Sequence, residues 1–152
     1  MLLKKEDIQS AMETISRELE IPTPILVYTW KGERAWCRWS RDEKRPKVCL
    51  GPKVWLGMKQ ALIHEMAHAF LSTKGHFNHG HDATFIRVLK QVIIIAQEKL
   101  NWTYDPSVEY PHVALALGSV AIMGRDRTKE KTIQAIMQTG KTREQAEAIV
   151  NG

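Results

Sequence analysis

Apolar residues recur at helical spacing near the start of the chain: Ile8, Met12, Ile15 and Leu19, with charged residues between them. That period predicts an amphipathic helix over residues 6–20, ended by Pro22 and Pro24. The pattern then changes. Ile25 to Trp30 is rich in β-branched and aromatic residues and predicts a strand. Lys31-Gly32 reads as a turn and Ala35 to Trp39 as a second strand. Arg41 to Pro46 reads as a charged connection, and Lys47 to Leu50 as a third strand stopped at Gly51-Pro52. Short strands with tight connections predict a small three-stranded antiparallel sheet.

From Gly57 the helical period returns. Leu62, Met66, Ala69 and Phe70 mark one face of a helix running to Ser72. Residues 74–80 hold two glycines, an asparagine and two histidines, and read as a loop. Asp82 is placed to cap a further helix, whose apolar stripe is Phe85, Leu89, Val92, Ala96 and Leu100. Residues 101–124 hold no single period: prolines 106 and 111 and glycines 118 and 124 punctuate them around the apolar run Val113 to Met123. The tail differs. Arg125 to Lys131 is a charge run, followed by a short apolar face of Ile133, Ile136 and Met137 ending at Gly140. Thr142 to Gln145 has the form of a capping box ahead of Ala146, Ile149 and Val150. The expected organisation is a main domain at 1–124 and a helical hairpin appendage at 125–152. The expected class is α+β: an N-terminal helix, a small sheet, two core helices and the hairpin.

With 152 residues, 43% of them hydrophobic and 26% charged, the chain can bury the core of one globular domain. Two cysteines, Cys37 and Cys49, form no CxxC pair, so no zinc ribbon is encoded and both read as reduced thiols on neighbouring strands. The segment MLLKKEDIQS lacks the apolar stretch of a signal peptide, and the apolar stretch Val92 to Ala96 is too short to span a bilayer. A cytoplasmic protein with no membrane partner is therefore expected. The net charge of +5 fits an acidic partner such as nucleic acid. Trp30, Trp36, Trp39 and Trp55 lie among Arg34, Arg38, Arg41, Lys44, Arg45 and Lys47, an interleaving that can bind single strands by stacking and phosphate contact. Ordinary strand alternation accounts for Trp36 and Arg38 equally well.

One segment points to metal chemistry: His64-Glu65-Met66-Ala67-His68. On a helix, residues four apart share a face, so His64 and His68 can bind one metal ion from the same side. Glu65 lies about 100° further round the helix, where its carboxylate can reach a water on the metal without being a ligand. Zinc lowers the pKa of such a water towards ~7, and the glutamate takes its proton as it attacks a carbonyl. A catalytic zinc needs three protein ligands and one open position. The candidates for the third are His76, His79 and His81, with Asp82 and Glu109 further out. His81 is preferred because it sits at the start of the helix that Asp82 opens and that Phe85 anchors one turn on. Tyr104, Tyr110 and His112 follow the second core helix and are as readily structural as catalytic.

Leu62 to Ala69 around the HExxH, followed by Gly80-His81-Asp82-Ala83-Thr84-Phe85, resembles the SprT-like metallopeptidases. The resemblance covers roughly residues 5–105 and includes the preceding strands at Arg34-Ala35-Trp36 and Lys47 to Leu50. It implies a zincin-like fold, zinc held by His64, His68 and His81, Glu65 as general base, and a protein or peptide substrate cut as by a metalloendopeptidase. Some members carry a zinc ribbon linked to DNA engagement, which this chain lacks. Two other readings compete. One is a nucleic-acid-associated binding module with a structural zinc closed by a fourth ligand such as His79. The other is an interaction module built on the tail, where Gly140-Lys141-Thr142 resembles ubiquitin-associated domains. The oligomeric state is not encoded in any of these patterns.

Overall fold

A computed structural model describes residues 3–54, 56–77, 80–117 and 136–151. Helix α1 (Lys5–Leu19) buries Ile8, Met12 and Ile15 completely, as its period requires. Its first turn is closed by the Lys4 amide donating to Asp7 Oδ2 at 3.1 Å, and Glu20 ends it in the left-handed region at φ 57°. Three strands follow: β1 (Ile25–Tyr28), β2 (Trp36–Ser40) and β3 (Arg45–Leu50).

The sheet is mixed, in the order β1-β3-β2, which corrects the antiparallel expectation. β3 runs antiparallel to β2, with Cys37 opposite Val48, and parallel to β1, with Leu26 opposite Val48. The cause is the place β3 takes. A tight turn with Lys44 at φ 54° folds β3 back along β2, and β3 then fills the gap between β2 and β1. It carries Val48, Cys49 and Leu50, all buried, and as the central strand it is hydrogen-bonded along both edges. Pro46 is tolerated there because it pairs with Trp39 upstream of the first β1 partner, Lys47. At the far end a Cβ on Gly51 would lie 1.6 Å from the Thr29 carbonyl oxygen, so glycine is required for the two strand ends to close.

One sheet face, carrying Leu26, Tyr28, Cys37, Val48 and Leu50, packs on the helical core. Against it lies α2 (Met58–Thr73), the most enclosed element, with Leu62, Ile63, Met66, Ala67 and Ala69 all at zero exposure. Helix α3 (Ala83–Leu100) covers α2 and also touches α1. Asp82 caps α3 as expected, its carboxylate accepting from the Phe85 amide at 2.9 Å. A 3₁₀ turn at Pro106–Val108 and a helical run over residues 111–117 (α4) occupy the stretch that had no clear period. In the tail, Gly140 adopts φ 95°, and α5 (Arg143–Asn151) opens with the expected capping box. There Thr142 N donates to Gln145 Oε1 at 3.0 Å, and Gln145 N to Thr142 Oγ1 at 3.2 Å. Trp55, His79, Ile133, the 125–131 charge run and the expected boundary at 124 lie outside the described residues. Among the described residues no helix is long and apolar enough to cross a membrane.

Candidate metal centre

The most buried helix carries the chemistry. His64 and Glu65 are each 6% exposed on α2, and His68 follows one turn later. His81 arrives from the residue before the α3 cap, held by the Asp82 bond to Phe85. The three imidazoles converge: Nε2 of His64 lies 3.0 Å from Nε2 of His81, and Nε2 of His68 lies 3.3 Å from each. Among the described residues this trio forms a group that could hold a metal ion. His76 is exposed in the loop outside it, and Asp82 is committed to the helix cap.

Phe85 supports all three rings from below. It is fully buried, and its ring centroid is 4.4, 4.8 and 5.0 Å from those of His68, His81 and His64. The interaction that sequence reasoning missed is at the other nitrogen of His64. Nδ1 donates to the carboxylate of Glu109, at 2.9 and 3.0 Å from its two oxygens. Tyr104, also buried, donates its hydroxyl to the same carboxylate. Gln60, one turn before His64, brackets this segment: its amide exchanges two bonds of 2.8 Å with the backbone of Asp105. A ligating imidazole needs a partner at its second nitrogen, and that requirement was the available signal for Glu109. His112 Nε2 donates to the His81 carbonyl at 2.8 Å, and Tyr110 packs on the His81 ring at 4.6 Å.

The two buried glutamates are driven apart. Burial pushes Glu65 up to about 7, with the charge of His64 opposing and that of Glu109 adding to it. Burial would raise Glu109 as well, but the hydrogen bond and charge of His64, with the Tyr104 bond, hold its carboxyl below the ordinary value. Because Glu109 is charged and can only accept, a proton of His64 sits on Nδ1, and Nε2 is the nitrogen that faces the other two imidazoles. Burial raises the Cys37 thiol beside the site to about 12, with a smaller contribution from Glu65.

The aromatic residues of the sheet do not form one stacking platform. Trp36 and Trp39 point to opposite faces of β2; Arg38 lies over Trp36 at 4.6 Å, whereas Trp39 packs on Phe77 at 5.2 Å. Trp30 is exposed beyond β1.

Fold and site together define an α+β domain with a three-histidine candidate metal centre on its central helices. No family model, curated protein or solved structure matches the chain.

Proposed function

We propose that the chain is a zinc-dependent metallopeptidase of the SprT-like kind, acting on peptide bonds. The observation that carries the reading is the convergence of three imidazole nitrogens in a cleft that Glu65 also lines. Separations of 3.0–3.3 Å match the ~3.3 Å edge of a tetrahedron with zinc–nitrogen bonds of ~2.0–2.1 Å. Among the described residues His64, His68 and His81 form the group, three protein ligands being the number a catalytic zinc uses.

Held by His64, His68 and His81, zinc supplies Lewis acidity, drawing the pKa of water towards ~7 and polarising a carbonyl oxygen. The protein supplies the rest. Glu109 fixes the tautomer and ring angle of His64. Glu65, near neutrality in its proton affinity, takes a proton from the attacking water and returns it to the departing amine.

The test pairs metal content with hydrolysis. Zinc should be retained in Glu65→Gln and lost in His64→Ala and His81→Ala. Peptide hydrolysis should fall by about 10²–10⁴ in Glu65→Gln. Undiminished turnover in that variant overturns the assignment.

A further inference from the structure

The cleft runs past the candidate centre in two directions. Ala35, His64, Glu65 and Tyr110 line both arms, so the arms meet at the site. The smaller, about 330 Å³, is walled by Trp36 and Phe77. The larger, about 540 Å³, is walled by Leu56, Val108 and Pro111, with Arg34 among its lining. Arg34 is exposed, and among the described residues that line this arm it is the one Lys or Arg side chain. No salt bridge to Arg34 is formed among the described residues. Two acids line the same arm: Glu109 is turned to His64 and Tyr104, and Glu65 lies on α2 next to His64. A trench with apolar walls, its two glutamates beside His64 and one guanidinium without an ion-pair partner among the described residues, is suited to a group with an aliphatic stem and a carboxylate tip.

We propose that this arm is a subsite for a substrate carboxylate, read by Arg34. The proposal rests on the peptidase reading and deepens it to substrate class. The carboxylate can come from an Asp or Glu side chain near the scissile bond or from the C-terminus of a peptide; the guanidinium recognises either. Charge makes the preference salt-dependent, and partial exposure makes it modest.

The test separates binding from turnover. Zinc-loaded Glu65→Gln is titrated against fluorescein-labelled octapeptide pools enriched in Asp/Glu, Asn/Gln or Lys, each with a free or an amidated C-terminus. The acidic or free-carboxylate pools should bind on the order of fivefold tighter at low salt, with the difference fading at high salt. Adding Arg34→Ala should erase the difference, and Arg34→Glu should turn it towards the Lys pool, both with zinc content unchanged. Persistence of the preference in amidated acidic pools assigns it to side chains, and restriction to free termini assigns it to the chain end. Absence of binding, or binding indifferent to charge or to residue 34, overturns the subsite. If the preference holds but wild type cleaves none of the pools, the peptidase reading falls and the carboxylate subsite stands.

Discussion

Replacing Glu109 by glutamine tests whether the centre depends on its second layer. The carboxylate receives three contacts from two buried donors: both oxygens face His64 Nδ1, at 2.9 and 3.0 Å, and one also receives the Tyr104 hydroxyl. A glutamine has one accepting end and one donating end. If its NH₂ faces His64, the imidazole must accept at Nδ1, which moves the proton to Nε2 and blocks ligation. Ligation therefore requires the amide oxygen at His64, leaving the NH₂ against Tyr104. His64 also loses the anion that makes its Nε2 more basic. Losing such a partner costs about 10–100-fold in metal affinity, or about 1.4–2.7 kcal/mol. By linkage the zinc-loaded protein loses the same stabilisation, roughly 4–8 °C in Tm at this size. The assay is competition for zinc against a fluorescent chelator, with urea unfolding of the metal-free proteins as the control. Tyr104→Phe, which removes one donor and leaves the carboxylate, should cost less than Glu109→Gln. A folded Glu109→Gln protein that binds zinc as tightly as wild type refutes the reasoning.

Two further outcomes follow from the packing. Phe85→Ala removes a fully buried ring that supports all three imidazoles, and should cost about 3–5 kcal/mol in urea unfolding and weaken zinc retention as well. The Cys37 thiol, raised to about 12, should react with a disulfide reagent at pH 8 at least about tenfold more slowly than in the unfolded chain, since its smaller thiolate fraction outweighs the higher nucleophilicity of that thiolate. Because its folded value is the raised one, its stabilising contribution is full below the ordinary thiol pKa and is lost as pH climbs towards 12, which urea midpoints above pH 9 would register.

The helices were legible because their periods are long and their ends are marked. Ile8 to Leu19 states its own face, and Asp82 announces the start of α3 through a local bond to Phe85. Local chemistry of that kind survives in the sequence. The strands were found within about two residues at either end, but their pairing was not. Which strand lies in the middle depends on how the connection at 29–35 crosses, and no pattern within β1, β2 or β3 states it. His64, Glu65 and His68 were visible because a helix brings i and i+4 together. Glu109 was weighed as an outlying ligand and is found bonded to His64, one of the three histidines that could hold a metal. It lies 45 positions from His64 in a stretch with no period, brought there by the Gln60 clamp on Asp105. Tertiary pairings at that separation leave no trace in local spacing.

The two glutamates carry the strongest argument about what the site is for. A structural metal site gains from an anion that holds a ligand, and Glu109 is such an anion: buried, met by His64 and Tyr104, and held in its charged form. It gains nothing from a second buried carboxylate. Yet Glu65 is 6% exposed beside the trio, and its side chain lines both arms of the cleft. Burying a carboxylate costs stability, and the rise to about 7 expresses that cost in proton affinity. The cost makes sense where the group exchanges a proton near neutral pH. On the proposed reading one carboxylate stays charged to orient His64, and the other takes and returns a proton. Environments that push two acids apart in this way separate an orienting group from a base. A binding module with a closed structural metal has a use for Glu109 and none for Glu65, which is why the hydrolytic reading is the one we put forward.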